Sequence, residues 1–317
     1  MNQLTTDLKL LHEATLNNLK NSKANNTLRA YKSDFKDFGA FCAKNGLNSL
    51  PTDPKIVSLY LTHLSKNSKI STLRRRLVSI SMVHKMKGHY LDTKHPIIVE
   101  NLMGIRRVKG SIQRGKKPIL INHLKLIVDT INEQKTEEIK KFRDKSLILI
   151  GFGGGFRRTE LISIDYEDLE FVPEGLKIAI KRSKTDQFGE GMIKGLPYFT
   201  NENYCPVKNL NKWLEISNIK SGAIFRRFSK GLSLTDKRLS DQSVVLLIKE
   251  YLNLAGMENK NFAGHSLRSG FATVAAESGA DERSIMAMTG HKTTQMVRRY
   301  IREANIFKNN ALNKVKF

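Results

Sequence analysis

Two histidines, an arginine and a tyrosine in the C-terminal part of the chain have the residue types needed to cleave a phosphodiester. His265 and Arg268 stand at positions i and i+3, His291 follows a glycine, and Tyr300 lies further on. An arginine and an imidazole can hold a phosphate oxygen, a second imidazole can assist, and a phenol can attack phosphorus. These residues predict nucleophilic attack on a phosphate ester.

The charge of the chain indicates a polyanionic partner. The formal net charge is +24, from 54 basic and 30 acidic residues. The excess is uneven, with 22 basic and 7 acidic residues in 1–117 against 32 and 23 in 118–317. Such a field attracts nucleic acid. A solvated basic surface or a ribosome-associated protein stays open, whereas no basic amphipathic helix with exposed aromatics favours a membrane surface.

Length and composition indicate a two-domain protein of the cell interior. A chain of 317 residues is long for one core. Cys42 and Cys205 form no CxxC pair, which argues against a disulfide scaffold or a zinc–thiolate site and suits a reducing compartment. Residues 1–20 lack the apolar core of a secretion signal, and no long apolar stretch predicts a membrane span. We expect a cytoplasmic, DNA-associated location.

The first part of the chain has the apolar spacing of a small helical bundle. Apolar residues recur at steps of three and four, and Asp53 before Pro54 is typical of a helix start. The predicted helices cover residues 27–45, 54–64, 71–83 and 96–105. We expect an all-helical domain over residues 1–105.

Arginines and lysines of this part are candidates for DNA contact. Three consecutive arginines on the third helix must fan around it, so some point away from its apolar stripe. Residues 106–117 are basic, with glycines and a proline, and predict a linker. A solvated basic face is the alternative. The predicted DNA-binding residues are Arg74, Arg75, Arg76, Arg106, Arg107 and Lys109.

The second part, residues 118–317, mixes helices with a hairpin. Residues 176–180 and 192–196 alternate as two strands around turn residues 186–191. A glycine-rich break at 151–155 is not a phosphate-binding P-loop, because GxxxxGK[ST] is absent. The predicted helices cover residues 122–131, 142–150, 157–163, 206–217, 241–255, 266–278, 282–289 and 294 onward.

Helix signals place the C-terminal candidates near one another. His265 and Arg268 share one face of a helix, which Gly264 enters tightly. Gly290 ends a helix and leaves His291 on a fixed turn. Tyr300 has arginine neighbours, and a phenol with an ordinary pKa near 10 needs cations or a base to become a nucleophile. Each residue alone also fits a surface or core position.

Two further residue groups lie upstream. Arg157 begins a helix after the glycine break, and Glu160 could fix it by a salt bridge or support a histidine. Lys184 lies in the hairpin turn, where a lysine can donate a proton to a leaving oxygen. Nearby basic residues compete for that role: Lys181, Arg182 and Lys194.

Together these residues resemble the tyrosine recombinase (phage integrase) family. The matching motifs are FRRTEL with Arg157, SKTD with Lys184, GHSLRSGFAT with His265 and Arg268, TGHKT with His291, and VRRYIRE with Tyr300. The resemblance implies a mainly α fold with a small β-hairpin or sheet. It implies an N-terminal helical core-binding (SAM-like) domain and a C-terminal α+β catalytic domain over 118–317. The two-domain phage Cre recombinase is the architectural comparison.

The resemblance also implies a mechanism. Tyr300 attacks the scissile phosphate to form a 3′-phosphotyrosine link, while Arg157 and Arg268 hold the non-bridging oxygens with help from His265 and His291. Lys184 protonates the departing 5′ oxygen. No metal, ATP or other cofactor is expected.

The expected partner is double-stranded DNA with an inverted-repeat target site, bound by a synaptic tetramer. The apolar tail after Tyr300 docks on a neighbouring protomer or packs within its own chain, and both options stay open. Three other functions remain alternatives: a type IB topoisomerase-like nicking and resealing enzyme, a catalytically idle DNA-binding relative, and an RNA-binding protein.

Overall fold

The computed structural model describes residues 2–110, 115–181, 191–304, 307 and 310–315. The chain divides into two compact units, Met1–Arg114 and Gly115–Phe317. The structure is mainly helical with two small antiparallel sheets, which confirms the predicted fold class. Within the described residues, no helix combines the length and the apolar character needed to cross a bilayer.

The regular secondary structure described in the first unit is entirely α-helical. Its core is apolar and includes Phe38, Tyr60, Leu73 and Ile98, each at most 1% exposed. The helix predicted to begin at Pro54 starts as expected, because the Asp53 carboxylate accepts a hydrogen bond from the backbone N–H of Ile56 at 3.0 Å. The helices are α1 (Asn2–Asn21), α2 (Asn25–Lys44), α3 (Pro54–Ser65), α4 (Ile70–Met86) and α5 (Pro96–Lys109).

Two features of this unit differ from the sequence prediction. Helix α1 was not predicted. Its Leu8, Leu10 and Leu11 are exposed, so it lacks the buried apolar stripe from which a helix is recognised. Helix α5 was predicted to end at residue 105 but continues to Lys109 and ends where Gly110 adopts φ +71°. Basic residues are good helix formers and are favoured at a helix C-terminus, which explains the extension.

The second unit combines eight α-helices, three short 3-10 helices and five strands among its described residues. The helices are α6 (Ile121–Glu133), α7 (Glu138–Gly153), α8 (Arg158–Ser163), α9 (Pro206–Ser217), α10 (Asp241–Leu254), α11 (Ser266–Glu277), α12 (Glu282–Thr289) and α13 (Thr294–Ala304). The strands are β1 (Leu169–Val172), β2 (Gly175–Ile180), β3 (Met192–Pro197), β4 (Arg226–Phe228) and β5 (Leu234–Arg238).

The predicted hairpin is the β2–β3 pair. Strand β1 adds to its sheet, and strands β4 and β5 form a separate two-stranded sheet. Strands β1, β2 and β3 form one antiparallel sheet, in which Ile178 faces Lys194 across the ladder. Strand β1 and the β4–β5 pair were not predicted. Strands β4 and β5 have no fully buried residue and carry several charges, so their sequence lacks the apolar alternation that marks a strand.

Helix α7 runs through the core and leads into the site. Leu147, Ile148 and Ile150 are fully buried, and the helix packs against α9 and α11. The break predicted from Gly151 begins later, because α7 continues to Gly153. A Cβ on Gly151 would approach Leu161 Cδ2 to 2.8 Å, so the glycine allows close packing of α7 on α8. Gly155 then makes the turn with φ +53°.

The apolar tail after Tyr300 is only partly described. Phe307, Leu312 and Val315 are exposed, at 81%, 60% and 52%. They therefore do not pack into the core of their own chain in this structure. Ile306 and Phe317, which belong to the same prediction, lie outside the described residues.

Candidate active site

Five of the predicted catalytic residues line one cleft in the second unit. The cleft has a volume of about 430 Å³, and its other walls include Lys116, Met296 and Arg299. The five residues come from the start of α8, the start of α11, the turn after α12, and α13. They are Arg157, His265, Arg268, His291 and Tyr300.

Arg157 is held from two sides. It is the N-cap of α8, and its guanidinium forms the predicted salt bridge with Glu160, which is 2% exposed. The second Glu160 oxygen accepts a hydrogen bond from the Arg157 backbone N–H at 3.0 Å. The Arg157 Nη2 also donates to the Gly290 carbonyl at 3.4 Å. Arg157 thus connects α8 to the turn that carries His291.

Arg268 lies on α11 and is 5% exposed. Its Nη1 donates to the Gly155 carbonyl at 2.8 Å. Its Nη2 is buried and has no hydrogen-bond partner among the described residues. Burial, followed by repulsion from Arg157, lowers the pKa of Arg268 to about 10. A buried guanidinium with an unmet donor is a ready partner for an anion.

His291 follows the left-handed turn that Gly290 makes at φ +63°. The Gly290 N–H donates a hydrogen bond to the Met286 carbonyl at 2.7 Å, which ends α12 as predicted for a glycine stop. The ring Nδ1 lies 2.7 Å from the Thr289 hydroxyl. Burial first, and then Arg268 and Arg157, lower the pKa of His291 to about 4, so the imidazole is neutral in the free protein at neutral pH.

Tyr300 is half-buried on α13 and packs against the small apolar cluster that includes Ala276 and Ile285. Its ring centroid is 6.5 Å from that of His291. Arg299 lines the cleft, whereas Arg298 donates to Glu282 at 3.0 Å and does not line it. Only one of the two arginines next to Tyr300 therefore lines the cleft. The sequence interpretation had counted both as cations that help the phenol to ionise.

His265 precedes α11 as its N-cap rather than standing inside the helix. Its backbone is still in the right-handed helical region, with φ −91° and ψ −3°, so it stays on the Arg268 side. The tight entry predicted at Gly264 is present. A Cβ there would approach Arg158 Cδ to 1.9 Å.

The four candidates for the general acid differ in what the structure shows of them. Lys184 and Arg182 lie outside the described residues. Lys181 is exposed and its Nζ contacts Asp168 Oδ1 at 2.7 Å, which fixes the base of the hairpin. Lys194 is 1% exposed and is not among the residues that line the cleft.

Lys194 contacts the turn that precedes Arg157. Its Nζ donates to the Gly154 carbonyl at 2.7 Å and lies 4.2 Å from the centroid of the Phe156 ring. Burial is the main cause that lowers the pKa of Lys194 to about 7, with Arg268 and Arg157 adding to it and Glu160 opposing it. Lys194 and Arg268 together hold consecutive carbonyls of the turn before Arg157.

The Lys194→Met variant should differ from the wild type in a pH-dependent way. The folded pKa is about 7 against 10.5 for a free lysine, so unfolded chains bind more protons between these values and wild-type stability rises with pH there. The free energy of unfolding of Lys194→Met, relative to wild type, should fall by roughly 1.4 kcal/mol per pH unit above pH 7. Urea unfolding at pH 7 and pH 9 measures this.

Lys177→Met is the control for this prediction, because Lys177 is an exposed lysine on the paired strand β2. Its difference from wild type should stay constant between the two pH values. Parallel stability curves for Lys194→Met and wild type would contradict the assignment of Lys194 as a buried, poorly solvated amine.

The predicted DNA-binding residues of the first unit have different surroundings. Arg74, Arg106 and Lys109 line a basic cleft of about 710 Å³ together with Lys66 and Lys69. Arg107 is exposed.

The other two arginines pair with acidic side chains of α2. Arg75 binds the buried carboxylate of Asp34, and Arg76 lies 3.3 Å from both Asp34 and Asp37. These two arginines therefore join α4 to α2, a structural role that the sequence interpretation did not foresee.

Comparisons with known proteins identify the family. A family model described as the phage integrase family matches residues 120–305, and one described as the N-terminal SAM-like domain of phage integrases matches residues 14–88. An integrase/recombinase xerD homolog from Selenomonas ruminantium is 44% identical over 300 residues, which cover 94% of this chain and 87% of the relative. The chain belongs to the phage integrase family. It is therefore a tyrosine recombinase, an enzyme that cleaves and rejoins DNA at specific sites.

Other relatives agree with this family assignment, which confirms the resemblance found in the motifs. A tyrosine recombinase XerC from Leptospira interrogans is 25% identical over 291 residues, covering 90% of this chain and 86% of the relative. The post-cleavage complex of the XerH recombinase with palindromic difH matches with a TM-score of 0.62 at 18% identity, covering 83% and 71% of the two chains. Lambda integrase (75–356) on a COC′ core site gives 0.60 at 16%, covering 88% and 89%. These two structures show a shared fold.

Two residues that contact the candidate site were missed or misjudged from the sequence. The alternation along β3 places Lys194 on the same face as Met192 and Leu196, and that pattern could have indicated a buried lysine. Thr289 gave no signal of its own, because its hydroxyl meets Ile285 and His291 only in the folded turn. Its role depends on the contacts that the turn creates.

Proposed function

We propose that this tyrosine recombinase cuts DNA through Tyr300, forming a covalent 3′-phosphotyrosine intermediate without a metal ion or ATP. The observation that supports this most is the buried Arg268 guanidinium, whose Nη2 has no partner among the described residues. It lies in the same cleft as Tyr300. A phosphate oxygen in that cleft would meet the unpaired donor and balance the adjoining cations.

The proposal gives each side chain a role. Arg157 and Arg268 bind the non-bridging oxygens and stabilise the charge that develops as Tyr300 attacks. His265 and His291 assist the reaction from the walls of the same cleft, and Glu160 keeps Arg157 oriented through its salt bridge. Lys184 protonates the 5′ oxygen as it leaves. Because the tyrosyl phosphate retains the energy of the broken ester, the reverse attack by a 5′ hydroxyl reseals the strand.

The DNA partner and the assembly are proposed on the same basis. Residues 1–105 form a core-binding domain, residues 106–117 a basic connection, and residues 118–317 the catalytic domain. The basic cleft at Arg74, Arg106 and Lys109 suits the phosphate backbone. A lambda integrase solved as a tetramer on a Holliday junction has a TM-score of 0.59 to this chain. We propose a synaptic tetramer on an inverted-repeat site, at the DNA in the cytoplasm.

The proposal is tested on a site selected by the protein itself. Fragments of source genomic DNA that stay bound at high salt are sequenced, and the enriched sequence is built as a duplex with a nick beside the cleavage point. The nicked duplex should trap a protein–DNA adduct that survives detergent, forms in EDTA without ATP, and yields phosphotyrosine on digestion. An absent adduct on the enriched duplex contradicts the proposal. Efficient relaxation of plasmids lacking the site would favour a topoisomerase-like activity.

A further inference from the structure

Thr289 makes two short hydrogen-bond contacts with a single hydroxyl. It is the last residue of α12 and is fully buried. Its Oγ1 lies 2.6 Å from the Ile285 carbonyl oxygen and 2.7 Å from the His291 Nδ1. Both partners are held in place, the first by the helix and the second by the Gly290 turn. The hydroxyl therefore links the end of the helix to the ring of a proposed catalytic histidine.

Counting protons decides how these contacts are made. A carbonyl oxygen can only accept, and a hydroxyl has one proton to donate. If the Thr289 hydroxyl donated to His291, its oxygen would face the Ile285 oxygen at 2.6 Å with no proton between them. The hydroxyl must therefore donate to Ile285, and the His291 Nδ1–H must donate to the hydroxyl. In a neutral imidazole the other nitrogen, Nε2, then carries a lone pair.

The charges around the ring keep it neutral until DNA arrives. Arg157 and Glu160 approach from α8, Arg268 from α11, and Lys194 from β3. The sum of these groups is positive, and together with burial it disfavours a second proton on the ring. A scissile phosphate bound between the two arginines adds negative charge at this place and makes the protonated ring easier to form.

We propose that Thr289 is a positioning residue that fixes His291 as the Nδ1–H tautomer, so that Nε2 accepts the phenolic proton of Tyr300. The two rings already line the same cleft with centroids 6.5 Å apart, and such contacts commonly shorten when substrate binds. This inference rests on the proposed function of Tyr300 as nucleophile. It names the base that the proposed function leaves open.

The proton and electron pairs balance in this step. The Tyr300 O–H bond breaks and its proton moves to His291 Nε2, while the phenolic oxygen forms a bond to phosphorus. The bond from phosphorus to the 5′ oxygen breaks, and that oxygen takes a proton from the general acid. In resealing, the 5′ hydroxyl attacks phosphorus, its proton returns to the general acid, and the imidazolium returns its proton to the departing Tyr300 oxygen.

A pair of substitutions separates the hydroxyl from the packing of Thr289. Thr289→Val keeps the methyl group that packs near Gly155 and removes the hydroxyl, whereas Thr289→Ser keeps the hydroxyl. Thr130→Val is the matched control, since Thr130 is also buried and its hydroxyl donates to Leu126 O at 2.7 Å on helix α6, which does not line the cleft. Thermal unfolding of all three variants shows whether each one folds.

Cleavage of the nicked duplex should slow about 10²-fold in Thr289→Val, the lower end of what a general base contributes. The acidic side of its pH–rate profile should also change, because the ring proton is no longer fixed. Thr289→Ser should restore the wild-type rate and profile, and Thr130→Val should cleave as the wild type does. A wild-type rate and profile in Thr289→Val would overturn the proposal.

The tautomer is read independently of activity. Nitrogen-15 spectra of labelled histidine, with His291 assigned through the signals missing in His291→Asn, should show a protonated Nδ1 and an unprotonated Nε2 in the free wild type. The Thr289→Val spectrum should lose this preference. A protonated Nε2 in the neutral wild-type ring overturns the inference even if Tyr300 is the nucleophile. Absence of a wild-type adduct would instead contradict the proposed function, while the spectra would still test the Thr289 contact.

Discussion

Tyr300→Phe should form no covalent adduct with the nicked duplex, while its affinity for the DNA stays close to that of the wild type. The substitution removes one oxygen atom and leaves the ring that packs against Ala276 and Ile285. The fold of α13 should therefore survive, and the cations that attract DNA are untouched. Because the proposed bond to phosphorus is made by the deleted oxygen, the loss should be complete rather than partial. Denaturing gels and a binding titration on one duplex measure both quantities.

Tyr198→Phe is the matched control, since Tyr198 is an exposed tyrosine of the same unit. It should form the adduct at the wild-type rate. An adduct in Tyr300→Phe, mapped by mass spectrometry to another side chain, would mean that Tyr300 is not the nucleophile. Loss of DNA binding together with loss of the adduct would point to misfolding, which thermal unfolding of the variant would reveal.

Arg268→Lys should slow cleavage by about 10²- to 10³-fold at saturating DNA, although it keeps the charge. The Arg268 guanidinium binds the Gly155 carbonyl with one nitrogen and presents a second nitrogen with no partner among the described residues. A lysine ammonium is a single point and cannot hold that carbonyl and a phosphate oxygen in the same geometry. Single-turnover cleavage of the nicked duplex gives the rate, and a titration shows that binding persists.

Arg298→Lys provides the comparison for this change. Arg298 is an exposed arginine that pairs with Glu282 outside the cleft, so the same substitution there should leave the rate unchanged. A wild-type rate in Arg268→Lys would show that the planar guanidinium is dispensable and would remove the main support for phosphate binding at this position.

The sequence was informative wherever a local rule decides the structure. Asp53 and Pro54 mark the start of α3, and Gly290 marks the end of α12, because caps and left-handed turns depend on one or two residues. Strands β4 and β5 were not foreseen, since their charged residues form a ladder only when the chain around them is folded. Helix α1 has no burial pattern to predict it.

The site shows the same division. The residue types of Arg157, Arg268 and Tyr300 indicated phosphate chemistry before any contact was known, and the structure brings them to one cleft. The pairing of Arg75 with Asp34 could not be read from spacing, because the two residues lie on different helices. The tautomer of His291 depends on a hydroxyl whose own proton is directed elsewhere by Ile285, and such a contact exists only in three dimensions.

The gathering of Arg157, Lys194 and Arg268 around Glu160 has a consequence for the protein as a whole. In the free enzyme these like charges repel one another in a place where water cannot screen them fully, so the native state is less stable than its packing would allow. On the proposed function, a DNA phosphate bound by Arg157 and Arg268 supplies the counter-charge. The same charges that lower the stability of the domain are then expected to raise its affinity for the duplex.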